Sequence, residues 1–319
     1  YVESGKGKIF VNSPDAIEGN RTDKCDTSAA DFQSENTGVI DAVGTEDEVL
    51  ANIRELVTIL PGCNEESGRV DECADDLNRG CESMDAMKGD ARYVLAELAD
   101  DRIFVETKKD YAKEMVTGFL KLNGITVGAV ANASVMHNEN GEKTEEFDTV
   151  ITARGAEKAA EFVQYCDAFD IPVLSLTNAT GFKASKCSEK RLAKALARLT
   201  YAFANATVPK VNVIVGKAFG SAYVAMNSKS VGADLVYAWP TAEIGMMDAK
   251  LAAQIMYPDA DADTQSAKAA KYKELQSSPN AAAARGYVDL IIDPADTRKY
   301  LVGAFEMLYT KYVDCLLYT

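Results

Sequence analysis

The sequence predicts an α/β fold built around a parallel sheet, on three observations. From Ile103 onward, short β-branched runs alternate with amphipathic helical patterns, the alternation that βα crossovers produce. Hydrophobic residues make up 47% of the 319-residue chain, enough for a sizeable core. Two of the strand-like runs lead through glycine-bearing segments into helical patterns, the usual place for a ligand on such a sheet.

Taken in order, Lys8-Ile9-Phe10-Val11 reads as a strand followed by polar turns. A helix is predicted over residues 46–60, where Val49, Leu50, Ile53, Leu56 and Val57 fall at helical spacing. Residues 63–103 are acidic and irregular (Glu65-Glu66, Asp71-Glu72, Asp75-Asp76) and read as a connector with short helices. Val and Ile content makes 125–131 a strand. The next helix places Ala156, Ala159, Ala160, Val163 and Cys166 on one face. A strand at 171–176 precedes a helix with Leu192, Ala195, Leu196, Leu199 and Phe203 inward, and Tyr201-Ala202-Phe203 could serve an interface. Then come a strand at 211–215, a helix at 222–230 and a strand at 234–239. Helices over 263–276 and 297–312 are expected to cover this core.

Composition excludes several functions. The net charge is −15, from 34 basic and 49 acidic residues, which argues against a nucleic-acid surface. No apolar run reaches the roughly 18 residues of a membrane helix. Seven cysteines lack C-x2-C spacing and His137 is the only histidine, so no zinc site is expected. The thiols read as buried small hydrophobes in a reducing compartment. His137 reads as a solvated loop residue. Tyr1-Val2-Glu3-Ser4 resembles no signal peptide and reads as a chain entered in mid-strand.

Two segments could carry chemistry: Thr177-Asn178-Ala179-Thr180-Gly181-Phe182 and Gly216-Lys217-Ala218-Phe219-Gly220-Ser221-Ala222-Tyr223. If they face each other, their amides would form an oxyanion hole, worth roughly 3–4 kcal/mol per donor. Ordinary glycine-bearing loops account for the same spacing equally well. With one histidine there is no Ser-His-Asp arrangement, so an enzyme built here would work through backbone amides. Ser221 at a helix start reads as a cap, with a lysine-activated nucleophile as the rival. The basic run Lys183, Lys186, Lys190, Arg191, Lys194 and Arg198 reads as a solvated helix face that could touch phosphate.

Longer stretches carry a resemblance. Val105-Glu106, Ala112-Lys113-Glu114-Met115-Val116-Thr117-Gly118-Phe119, Gly124-Ile125-Thr126-Val127-Gly128-Ala129-Val130-Ala131-Asn132 and Cys166-Asp167-Ala168-Phe169-Asp170-Ile171-Pro172 are among them. The most specific is Ala222-Tyr223-Val224-Ala225-Met226-Asn227-Ser228-Lys229, continuing to Tyr237-Ala238-Trp239-Pro240-Thr241-Ala242-Glu243-Ile244. Together they resemble the biotin-dependent acyl-CoA carboxylase carboxyltransferase family, closely over 103–256 and more loosely to Leu290.

The resemblance implies a crotonase-like fold, a spiral of ββα units. It implies the end of an acyl-CoA-side domain at 1–62, a connector at 63–103 and a biotin-side domain at 104–312. Residues 313–319 match nothing in the family and read as non-native. Implied catalytic amides are those of Gly181, Phe182, Ser221 and Ala222. Thr180, Gly220 and Tyr223 would contact biotin, and Val224 would help select a short, uncharged acyl group. The family's proline is Thr180 here, and the second glycine of its Gly-Gly-Ala turn is Ser221. Phe10-Val11-Asn12-Ser13-Pro14-Asp15 would be a pseudo-repeat of Ala238-Trp239-Pro240-Thr241-Ala242-Glu243. The first domain's own glycine-rich turns would precede Tyr1.

The implied cofactor is biotin on a carboxyl carrier protein or domain, the substrate an acyl-CoA, and no metal is called for. A homo-oligomer with active sites between subunits is expected, in the cytoplasm or at the inner membrane face. The other readings are an assembly module of the same fold without catalysis and a Ser-Lys hydrolase using Ser221.

Overall fold

The computed structural model describes residues 1–63, 70–138, 140–311 and 313. The first sixty residues form a small layer. Two-residue strands β1 (Val2–Glu3) and β2 (Val43–Gly44) pair in parallel, with helices α1 (Glu18–Asp23), α2 (Ala30–Thr37) and α3 (Glu46–Ile59) around them. A reciprocal capping box starts α3, with the Glu48 amide donating to Thr45 and the Thr45 amide to Glu48. Its apolar spacing does not become a buried stripe, since Leu50, Ile53 and Val57 stay exposed. The strand expected at 8–11 is absent. Only Lys8 makes a single bridge, to Ala29, and Val11 is fully exposed because no neighbour offers a ladder edge. Residues 10–15, which enter a 3-10 turn at Pro14, therefore do not share the conformation of their supposed repeat at 238–243, which runs from the end of one strand to the start of another.

Helix α4 (Ala91–Leu98) begins the main body, capped by the Asp90 carboxylate. Val94, Leu95 and Leu98 join Cys81 and Met84 in the apolar cluster beneath the sheet, so this part of the expected connector is core. Strands β3 (Phe104–Thr107), β4 (Met115–Leu122) and β5 (Ile125–Asn132) form an antiparallel meander. A hairpin, β6 (Val135–His137) and β7 (Lys143–Glu146), and short β8 (Val150–Ile151) lead into α5 (Ala153–Ala168). Then follow β9 (Val173–Ala179), β10 (Gly181–Phe182), α6 (Lys186–Glu189), α7 (Leu192–Asn205), β11 (Lys210–Phe219) and α8 (Gly220–Ala225). The helix expected at 222–230 ends at Ala225, and residues 229–231 form a separate 3-10 turn. The chain closes with β12 (Leu235–Ala238), β13 (Glu243–Gly245), α9 (Ala249–Met256), α10 (Ala262–Tyr272), a π-turn at Lys273–Ser277, α11 (Pro279–Ala284), β14 (Leu290–Ile291) and α12 (Thr297–Leu308).

The main sheet runs β14-β12-β11-β9-β5-β4-β3, with β13 also on β11. Every pairing from β5 to β14 is parallel. Alternate residues of the strands face two cores. Leu174, Leu176, Val211, Val213 and Val215 meet α4 and α12. Val173 and Ala179 face α5, α7 and α8, where Ala156, Val163, Leu199 and Phe203 pack. Phe203 is thus core and unavailable to an interface, while Tyr201 is exposed.

Buried charge ties the ends of this body together. Arg298 on α12 has no exposed surface and bonds Asp100 at 2.7 Å and Asp75 at 3.1 Å. Asp75 is also held by Arg79 at 2.9 Å. Burial would raise the Asp75 pKa, but the Arg79 hydrogen bond and the charges of Arg298 and Arg79 outweigh it and hold it below the usual carboxylate range. The single tryptophan, Trp239, is fully buried and donates from Nε1 to Thr297 Oγ1 at 3.0 Å.

Candidate active site

The first arm of the site follows β9. That strand does not stop at Leu176, because its polar residues find partners inside the sheet. Thr177 Oγ1 donates to Asn212 Oδ1 at 2.8 Å, and the Asn178 amide donates to Asn132 Oδ1 at 3.2 Å. The turn into a helix expected at Gly181 is replaced by β10, in which Gly181 and Phe182 pair in parallel with Val150 and Ile151. Thr180 anchors its start, donating from both its amide (2.7 Å) and its hydroxyl (2.8 Å) to the Thr149 carbonyl. Phe182 packs on the α5–α7–α8 cluster. Beside Gly181 the space is open, with no atom within 4 Å of where a Cβ would stand.

The second arm follows β11, which runs to Phe219 rather than ending at Val215. Its register against β9 slips between Ile214, opposite Thr177, and Ala218, opposite Ala179. On the other side, 211–214 pair with β12 and 217–219 with β13. Gly220 then takes φ +57°, where a Cβ would also stand 3.1 Å from the Met246 carbonyl. Both conditions favour glycine.

Helix α8 follows immediately. Ser221 is exposed and its hydroxyl makes no hydrogen bond, so it neither caps the helix nor meets an activating lysine. Ala222 is buried in the cluster that Phe182 joins. The Tyr223 ring lies in the apolar cluster of Ile214, Val236 and Ile244, turned into the core. Burial, with Tyr287 and Asp289 nearby, pushes its phenol up to about 12. Val224 is exposed on the outer side of the helix, where its carbonyl accepts from Ser228 Oγ at 2.9 Å.

Helix α8 packs against β10, so the two arms meet. The first-turn amides of α8, including those of Ser221 and Ala222, have no intrahelical acceptor, and no loop carbonyl takes them. Beyond the end of β11 lies a groove of about 560 Å³ lined by Lys217, Glu243, Asp248, Lys250 and Lys273. A smaller cavity of about 210 Å³ opens between the amino-terminal layer and α5, and none of the candidate residues lines it. What the two arms offer chemically is a half-buried edge, open beside Gly181, at which the Ser221 and Ala222 amides are unclaimed.

Other expectations resolve as follows. His137 ends β6 instead of sitting in a solvated loop, and its Nδ1 lies 3.0 Å from Asp90. Of the described cysteines, Cys81 and Cys166 are buried, Cys25 and Cys73 are partly covered, and Cys63 and Cys187 are exposed. Cys315, Glu65-Glu66 and most of 313–319 lie outside the described residues. The basic run is exposed throughout, with Lys183 paired to Asp148 and Arg191 to Glu157. Among the described residues no group of three or more His, Cys, Asp and Glu is placed to hold a metal ion, and no helix is long and apolar enough to cross a membrane. Sequence reasoning missed the interior asparagines Asn132 and Asn178 as parts of the site's frame. Their signal was weak, a polar residue at the end of each of two apolar runs.

The carboxyl transferase domain family model matches residues 1–317. The chain belongs to that family. The propionyl-CoA carboxylase beta chain of Roseobacter denitrificans is 36% identical across 98% of this chain and 62% of its own length. The methylmalonyl-CoA carboxyltransferase 12S subunit of Propionibacterium freudenreichii subsp. shermanii is 35% identical across 97% of this chain and 60% of its own. Among solved structures, the transcarboxylase 12S crystal structure, described as a hexamer assembly with hydrolyzed methylmalonyl-coenzyme A bound, superposes with a TM-score of 0.86 at 34% identity. That match covers 98% of this chain and 61% of the other. This carboxyl transferase domain therefore has the crotonase-like fold of its family and spans about three fifths of the length of these relatives.

Proposed function

We propose that the full-length protein moves a carboxyl group between biotin and an acyl-CoA, and that this chain supplies the biotin-facing half. The observation that carries the reading is the meeting of β10 and α8, which puts two amide-bearing segments at one open edge in a carboxyl transferase domain. The amides of Gly181, Phe182, Ser221 and Ala222 would hold the biotin ureido oxygen as negative charge develops on it. The open space at Gly181 and the exposed Ser221 leave room for such a ring. Biotin on a carrier supplies the carboxyl group when bound, and this chain's share is to orient it and stabilise charge. Gly220 and Thr180 shape the two arms. Val224, exposed on α8, would face the acyl group, and Tyr223 would act from the core by supporting α8. Relatives named for propionyl-CoA and methylmalonyl-CoA support a short acyl-CoA as the substrate class. A carrier protein and a homo-oligomer are the partners this reading requires.

The test is carboxyl transfer by the full-length protein from methylmalonyl-CoA or malonyl-CoA to free biotin, with the 319-residue chain alongside. Transfer by the full-length form supports the reading. No transfer, with biotin still raising the melting temperature, would favour an assembly module instead. The Ser-Lys hydrolase reading has no support in the geometry, and a fluorophosphonate probe should leave Ser221 unlabelled.

A further inference from the structure

We infer that Asn178 is a positioning residue that sets the relation between the two arms of the candidate site, an inference that rests on the carboxyl-transfer reading. Between Ile214 and Ala218 strand β11 advances four residues while β9 advances only from Thr177 to Ala179. Asn178 is the β9 residue opposite the excess. Its Oδ1 accepts the Lys217 amide at 3.0 Å, serving a donor that the slipped ladder to β9 leaves without a partner. Gly216 makes room for this, since a Cβ there would stand 2.5 Å from Asn178 Oδ1. The asparagine's own amide is tied to Asn132 Oδ1 on β5. One side chain thus plugs the irregularity after which β11 leaves β12, joins β13 and delivers Gly220 to α8. Two residues further along the chain, just past the end of β9, is Thr180, and β10 follows. Asn178 makes no claim on the reacting atoms. It links the end of one arm to the bend that aims the other.

The test uses the full-length protein with Asn178→Asp, Asn178→Ala, Gly216→Ala and the double variant Asn178→Ala/Gly216→Ala. Asn178→Asp keeps the acceptor and should retain most of kcat. Asn178→Ala should lower kcat by about ten- to a hundredfold with the acyl-CoA KM little changed, as misplacement of a reactive frame does. Gly216→Ala should be as damaging alone, yet add little in the Asn178→Ala background, because the clash partner is gone. Amide exchange provides a readout that does not depend on catalysis. In Asn178→Ala, segments 215–222 and 179–183 should both exchange faster while 210–214 stays protected. Unchanged exchange in either arm, full additivity of the two substitutions, or equal losses in Asn178→Asp and Asn178→Ala would each overturn the inference. A wild-type protein without transfer activity would defeat the carboxyl-transfer reading, and exchange would still decide the positioning role.

Discussion

Buried lysines show how single residues tune this fold. Lys158 is almost wholly buried, and its Nζ donates to the Lys108 and Tyr111 carbonyls at 2.9 and 2.8 Å without a carboxylate in contact. Burial is the main cause that lowers its pKa to about 8. A base with a depressed folded pKa binds fewer protons when folded than when unfolded in the window from about 8 to 10.5. Its penalty on stability is therefore full at neutral pH and fades as pH rises through that window. The stability gap between wild type and Lys158→Met, followed by thermal unfolding from pH 7 to 10, should shift in favour of wild type. Comparing the two proteins also cancels Lys210, lowered to about 8 by burial in the same way. Asp75 has the opposite sign. Its depressed pKa gives stability that is present at neutral pH and lost as pH falls through the folded value, and Arg298→Ala should lessen that acid dependence while the share held by Arg79 remains. Because Arg298→Ala takes from buried Asp100 its charged partner, leaving only the Asn123 and Gly124 amides on that carboxylate, it should also lower stability by about 3 kcal/mol, measured by denaturant unfolding.

Elements were legible where one helix face had to be apolar. The α5 pattern of Ala156, Ala159, Val163 and Cys166 is buried as the spacing predicts, and so is Leu199 on α7. Strand ends were not legible. An apolar run stops at Leu176 or Val215, whereas the strands continue because Asn132, Asn212 and Asn178 satisfy polar residues across three strands, and that is tertiary information. The pattern at 8–11 failed for the reverse reason, a good strand composition with no partner. The candidate site itself was legible as two glycine-bearing segments, but Gly181 as a strand residue was not. At this scale Gly220→Ala should cost about 1–2 kcal/mol of stability, from its left-handed backbone and the Met246 carbonyl beyond. Ala222→Phe should abolish transfer in the full-length enzyme and also loosen α8, so its activity should be read against its melting curve.

For the whole molecule, the body is one main sheet with apolar clusters on both faces, and α12 closes one of them. Trp239 gives a direct reporter of that closure, being the only tryptophan and bonded to the first residue of α12. Its emission should be blue-shifted in the native protein and move red in step with denaturant unfolding. Thr297→Val should leave that emission blue-shifted while removing the indole's hydrogen-bond partner, with a stability loss of about 1–2 kcal/mol.

The Arg298 contacts also bear on the order in which the chain folds. Asp100 and Arg298 stand 198 residues apart in sequence, so their ion pair closes one of the longest loops in the molecule. Closure entropy rises only slowly with loop length, but contacts of this separation form late in folding. During synthesis, Asp100 emerges long before Arg298, whereas Asp75 has Arg79 beside it from the start. Drying a carboxylate without its counter-charge is costly, so the side of the sheet that carries Asp100 should be the last to close.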